Sequence, residues 1–148
     1  MQKLRIRQGD WIIVCDGKKA LVLENIGDDK FLNLRTREVY EHPDPKTREL
    51  GTDAPGRALN SLGTPRSAME QTDWHTQEEE RFLRTLADRL DTAVNAGQAK
   101  SLFLVAPPRA LGVLRQAYSH ALRAALRAKI DKDFVKLPVH EIEKHLAA

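Results

Sequence analysis

The stretch Ser101 to Ala106, SLFLVA, constrains the fold more than any other part of the chain. It is an unbroken apolar run with no polar alternation, the pattern of a strand buried on both faces of a sheet. Such a strand needs cover above and below, and the sequence supplies it on either side. Before it, Phe82, Leu83, Leu86, Ala87, Leu90, Ala93 and Val94 recur with helical period, predicting a helix from about Trp74 to Ala96. Thr72 or Asp73 is placed to cap that helix, Glu78, Glu79 and Glu80 suit the positive end of its dipole, and Gly97 closes it. After it, Pro107 and Pro108 end the strand and open a second helix predicted over about 108–128, with Leu111, Leu114, Tyr118, Leu122 and Ala125 inward.

The first forty residues read differently. Trp11 to Cys15 and Ala20 to Leu23 are apolar runs joined through Asp16-Gly17, a pair suited to a short positive-φ hairpin turn. A third run, Phe31 to Tyr40, follows a turn at Gly27 to Asp29. A last strand is expected within Lys129 to Leu137, and Pro138 then opens a terminal helix that turns Val139, Ile142 and Leu146 inward. Three meander strands followed by helix, strand, helix, strand and helix predict a single α/β domain over 1–148. Right-handed crossovers give its mixed five-stranded sheet the order 3-2-1-4-5, a ribonuclease H-like arrangement.

Residues 41–74 fit neither period. They hold four of the seven prolines and three of the eight glycines, so an irregular loop is expected there. Lys46, Arg48, Arg57 and Arg66 are spaced along it, and guanidinium groups on an extended loop suit phosphate oxygens. Charge is uneven elsewhere too. The net charge is only +3, yet residues 100–136 carry eight lysines and arginines against Asp131 and Asp133. On the second predicted helix Arg109, Gln116, His120, Arg123 and Arg127 share one back. A basic half of this kind is directed at a polyanion.

Catalytic signatures are sparse. The histidines at 42, 75, 120, 140 and 145 have no metal-ligand spacing, and neither a nucleophile motif nor a glycine-rich phosphate loop is present. No metal or cofactor is expected. Cys15, the lone cysteine, sits inside an apolar run as a small buried hydrophobe. Asp16 is either a turn residue or one carboxylate of a metal-dependent nuclease, and Arg115 and Gly112 read as an ion-pairing residue and a site of close helix packing. No apolar run approaches a membrane span, and MQKLRIRQGDW lacks a signal-peptide core, giving the expectation of a cytoplasmic protein.

WIIVCDGKKALVLE, the PGR of 55–57, LFLVAPPRALGVLR and KDFVKLPVHEIEKHL together resemble the bacterial host attachment protein family. That resemblance covers nearly the whole chain. It implies a fold similar to the middle domain of class I peptide-chain release factors, in which the segment matching 41–74 bears a Gly-Gly-Gln that reaches peptidyl-tRNA on the ribosome. The tripeptide is absent here; the one Gly-Gln pair is Gly97-Gln98, beyond the helix. The expectation is therefore a non-catalytic module for RNA, tRNA or a ribosome-associated partner, using the loop cations with Arg123 and Arg127. A hydrolase of peptidyl-tRNA or RNA, and a protein-interaction module affecting attachment, are the alternatives.

Overall fold

A computed structural model describes residues 5–41 and 68–147, with side chains of the first helix described from Thr76 onward. Its sheet has five strands in the order β3-β2-β1-β4-β5, as the sequence predicts. β1 (Trp11–Cys15) pairs antiparallel with β2 (Lys19–Asn25), which pairs antiparallel with β3 (Leu34–Glu41). β4 (Leu102–Ala106) lies parallel to β1, and β5 (Leu126–Asp131) parallel to β4.

The apolar runs are explained by what covers each face. On one face Ile13, Cys15, Val22 and Leu104 meet Leu83, Leu86 and Leu90 of the long helix α1 (Ala68–Asn95). Leu114 of α2 (Pro108–Ala117) and Leu122 of α3 (His120–Ala125) complete that layer. On the other face Ile12, Val14, Leu23, Phe103 and Val105 meet Ile6, Val135 and the Ile142 and Leu146 of α4 (Val139–Ala147). Every residue of β1 and β4 is buried, so alternation could not survive in either strand. Each fully buried Ile, Leu or Val contributes about 1.5–3 kcal/mol relative to an exposed one.

Several boundaries differ from the sequence reading, each for a physical reason. α1 begins at Ala68, so Thr72 and Asp73 lie within it and do not cap it. The stretch expected to be irregular thus starts with strand at Glu41 and is helical from 68; the rest of it, 42–67, lies outside the described residues. The continuous second helix is broken after Ala117: Tyr118 is extended, and Ser119 caps a new short helix by accepting a hydrogen bond from Leu122 N. Ser119 Oγ also donates to Asp91 on α1, which fixes the break against its neighbour. The chain then enters β5 at Leu126, three residues before the strand expected at Lys129, and residues 132–137 turn back toward α4. β3 begins at Leu34, not Phe31, and Phe31 is exposed.

Glycines mark two further differences. Gly97 has φ +78° and closes α1 as expected, with Gln98 N donating to Ala93 O at 2.9 Å. Gly17 is not in the positive-φ region. Its lack of a side chain has another use: a Cβ there would sit 2.8 Å from Glu79 Cγ on α1. Gly112, expected at a close helix contact, is exposed, with no heavy atom within 4 Å of where a Cβ would stand.

Candidate functional site

Both edge strands carry a bulge, and an arginine occupies the extra position in each. On β3 the register moves from Val22↔Glu38 to Leu23↔Thr36, leaving Arg37 over. On β5 it moves from Leu102↔Leu126 to Phe103↔Ala128, leaving Arg127 over. A bulge re-aims one side chain at a sheet edge without breaking the sheet. It also explains the β5 sequence, in which Leu126 packs with the helix-covered face while Ala128 and Ile130 pack with the other.

Arg127 stands at the centre of a basic edge. Its Nε donates to Ser101 Oγ at 3.2 Å, and its guanidinium is exposed. Lys129 pairs with Leu104, whose side chain belongs to the helix-covered face, so Lys129 emerges on the side of α2 and α3. Arg123 on α3 and Arg115 near the end of α2 are exposed on that side as well. Both lie near enough to Tyr118 to favour its ionised form. Among the described residues none of these four cations makes an ion pair with an acid. Arg115, expected in a structural pair, therefore joins the edge.

The sequence grouping of cations is only partly kept. Arg123 and Arg127, placed on one back of a single helix, sit instead on a short helix and a strand that follow one another along the same edge. Arg109 is separated from them. Its Nη2 donates to Thr76 Oγ1 at 2.8 Å and lies 3.7 Å from Glu79 Oε1, across a cleft at the carboxyl ends of β1 and β4. Lys46, Arg48, Arg57 and Arg66 lie outside the described residues.

Asp16 lies beside that cleft, and its carboxylate serves the hairpin. Oδ1 accepts from Lys18 N at 2.7 Å and Lys19 N at 2.8 Å. Among the described residues no three His, Cys, Asp or Glu side chains gather as a metal site would require. Cys15 next to it is fully buried. Burial, with a smaller contribution from the Asp16 charge, pushes its thiol from 9.0 up to about 12. Tyr118 is raised from 10.0 to about 12, first by burial and then by Cys15, against the opposing pull of Arg123 and Arg115. Neither group is a nucleophile or base near neutral pH.

A second constellation has no sequence signal. Arg37 lies 4.6 Å over the Trp11 ring and Arg89 of α1 lies 4.6 Å over the Tyr40 ring. Trp11, Tyr40 and Arg89 border a groove between α1 and the sheet. These partners are far apart along the chain, and periodicity carries no information about such pairs.

The chain has known relatives. An uncharacterized protein of Rickettsia prowazekii (strain Madrid E), RP470, is 25% identical over 143 residues, covering 93% of this chain and 91% of that one. Among solved structures, an archaeal translation termination factor is similar with a TM-score of 0.45 and 14% identity, over 90% of this chain and 34% of that one. An archaeal protein gives 0.41 and 11%, over 93% and 35%. The chain thus spans about a third of the length of these two structures. No helix among the described residues is long and apolar enough to cross a membrane. Residues 11–146 match the family described as "Protein required for attachment to host cells", and the chain belongs to that family.

Proposed function

We propose that this chain is a non-catalytic module that binds RNA, as tRNA or within a ribosome-associated partner, by its α3–β5 edge. The observation supporting this reading is that Arg115, Arg123, Arg127 and Lys129 stand exposed along one edge without acidic partners among the described residues. An unpaired surface arginine keeps its forked donors for phosphate oxygens, and a phosphate contact needs no further chemistry from the protein. Arg48, Arg57, Arg66 and Lys46 extend the same chemistry in the proposal, as cations from the 41–74 stretch.

Filter binding of labelled tRNA across a salt series tests the reading. Each neutralised phosphate contributes a slope of about −0.7 to −0.9 in log K against log salt, so four contacts give roughly −3. Affinity then falls by tens-fold between ~50 and ~200 mM salt. Absence of binding at low salt, or binding indifferent to salt, ends the proposal. Turnover of peptidyl-tRNA or RNA in the same incubation makes the chain a hydrolase. Capture of a protein that resists nuclease and high salt assigns it instead to protein docking in attachment.

A further inference from the structure

β3 ends the sheet on its side, and β2 decides which of its backbone groups face outward. Asn25 N donates to Asp10 O, Asn25 O accepts from Gly9 N, and Lys19 O accepts from Asp16 N, so the odd-numbered residues of β2 turn their backbone toward β1. The residues of β3 opposite them, Leu34, Thr36, Val39 and Glu41, therefore turn theirs away from the sheet. Glu143 of α4 accepts from Leu34 N at 3.1 Å and closes the first of these positions. The outward backbone groups of Thr36, Val39 and Glu41 have no hydrogen-bond partner among the described residues. All three residues are exposed, Val39 to 48%.

An open edge pairs with any passing strand unless something restricts it. Here the bulge is the restriction. Outward groups of a regular strand recur every second residue, whereas the extra residue Arg37 sets Thr36 and Val39 three apart. An ordinary strand laid along this edge is in step with one of them and out of step with the other. The strand that fits carries the same extra residue at the same place, and a second copy of β3 supplies it. Run antiparallel about a twofold axis, Thr36 faces Val39 of the second copy, Val39 faces Thr36, and Leu34 faces Glu41. The faces agree as well, because Thr36 and Val39 lie opposite Leu23 and Leu21, whose side chains share one face of the sheet.

Charge selects the same register. The strand is basic first, at Arg35 and Arg37, and acidic after, at Glu38 and Glu41. Reversal sets Arg37 opposite Glu38 of the second copy on both sides of the axis, and Arg35 opposite Tyr40. Glu38 is exposed and has no ion pair among the described residues. Arg37 gives Nη1 to Glu24 and keeps further N–H donors. A parallel, in-register pairing would set like charge against like. We propose that the chain forms a twofold dimer by antiparallel pairing of β3 with β3, one sheet running through both copies. The contact is isologous and closed, and it leaves the α3–β5 edge open on each copy.

Sedimentation of the full chain across a concentration series tests the assignment. A short strand pair with two charge contacts is a small interface, so a dissociation constant on the order of 10 μM is expected, with mass rising from one copy to two and no further. Val39→Pro removes an outward N–H and no bond to β2, so the fold is kept and association weakens by about tenfold or more. Arg37→Glu and Glu38→Arg each set like charges across the axis, and each alone is expected to associate about tenfold more weakly. An equal mixture of those two variants recovers the association of the native chain, since each supplies the charges that the other lacks, whereas damage to the fold would not be reversed by mixing. If Val39→Pro does not fold, the mixture alone decides. A mass of one copy at every concentration overturns the proposal. So does association that a folded Val39→Pro leaves intact, a mixture that recovers nothing, or growth beyond two copies, which marks a head-to-tail contact.

Discussion

Arg37 and Arg127 hold the same structural position, the extra residue of a bulge on an edge strand, and meet opposite circumstances. Arg37 is flanked by the Glu24 carboxylate at 2.8 Å and covers the Trp11 ring. Among the described residues Arg127 meets only a serine hydroxyl, at 3.2 Å. The difference extends to their surroundings. Around β2, β3 and α1 several cations are committed, Arg5 to Asp29, Arg81 to Glu78 and Arg89 to the Tyr40 ring, and Arg109 at the start of α2 reaches across to Glu79. Further along α2 and on α3 and β5, Arg115, Arg123, Arg127 and Lys129 have no acidic partner among the described residues. Exposed ion pairs contribute at most about 1 kcal/mol each, so stability alone does not account for the contrast. A cation left unpaired on an ordered edge retains its capacity to bind an anion from outside, and that is what the two bulges teach when set side by side.

The committed half is where a single substitution should cost most. Asn25, at the end of β2, is fully buried and uses its whole side chain. Nδ2 donates to the carbonyls of Ile6, Arg7 and Asp28, and Oδ1 accepts from Gly27 N and Asn33 N, each at 3.0 Å. Asn25→Leu keeps the volume and orphans those backbone groups. The expected loss is ~3 kcal/mol or more, a fall in Tm of roughly 6–12 °C by thermal unfolding. A loss below ~1 kcal/mol would mean that the β2–β3 end is no more firmly tied than the basic edge.

Next in size is an alkaline effect that belongs to the core and not to the edge cations. The Cys15 thiol ionises near 9.0 in the unfolded chain and near 12 when folded. Between those values the unfolded chain holds fewer protons than the native one, so stability falls as pH rises. It is fully present below about pH 9 and is lost through about pH 12. At ~1.4 kcal/mol per pH unit, roughly 2–3 kcal/mol disappears between pH 9 and 11. Tyr118 adds in the same direction, since its phenol is raised as well. Urea unfolding at several pH values should show this limb, and Cys15→Ala should flatten it. If the limb is unchanged in that variant, lysines on the surface and not the buried thiol set the alkaline behaviour.

What the residues made legible follows the same division between buried and exposed. WIIVC, ALVL and SLFLVA declared themselves because both faces of their strands are covered, and with turn residues between them they are enough to order the sheet. The stripe from Leu83 to Ala93 fixed the helix that covers it. HALRAALRA was less transparent. Alanine, leucine and arginine favour helix, yet the helix stops at Ala125 and Leu126–Asp131 pairs with β4, because tertiary pairing outweighs propensity differences of a few tenths of a kcal/mol per residue. The start of α1 was missed for the converse reason: Ala68, Met69, Glu70 and Gln71 are good helix formers without the apolar period on which the prediction relied. Of the candidate site, Arg123 and Arg127 were read onto the back of one helix, whereas they stand on a short helix and the strand that follows it. The Arg37 and Arg89 stacks join residues that no spacing relates.

The unpaired edge should respond in binding before it responds in stability. Replacing Arg123, Arg127 and Lys129 together by serine removes three cations that have no acidic partner among the described residues and, in Arg127, one hydrogen bond to Ser101. Tm is expected to move by only a few degrees. Affinity for tRNA at low salt is expected to fall about ten- to thirtyfold, with the salt slope reduced by about 2–3. The matched variant on the other edge, Arg37→Ser, should do the reverse. It loses an ion pair and a ring contact and lowers stability by roughly 1–2 kcal/mol, with little change in tRNA binding. Equal effects of the two on binding would erase the distinction between the edges.

The smallest effect is the most diagnostic of how close a partner approaches. Gly112 lies in the middle of α2, exposed, with open space where a side chain would begin. Alanine in a helix interior is better than glycine by about 0.5–1 kcal/mol, so Gly112→Ala should raise Tm by a few degrees. Nothing in the fold therefore requires glycine here. Arg115 follows one turn later on the same helix. If RNA lies against α2, an added methyl group at 112 stands between its backbone and the helix, and tRNA affinity drops although the protein is more stable. If RNA contacts only α3 and β5, the variant is more stable and binds equally well. Measuring Tm and tRNA affinity on this one substitution thus locates the boundary of the basic edge, because stability and binding are expected to move in opposite directions only where the partner touches the helix.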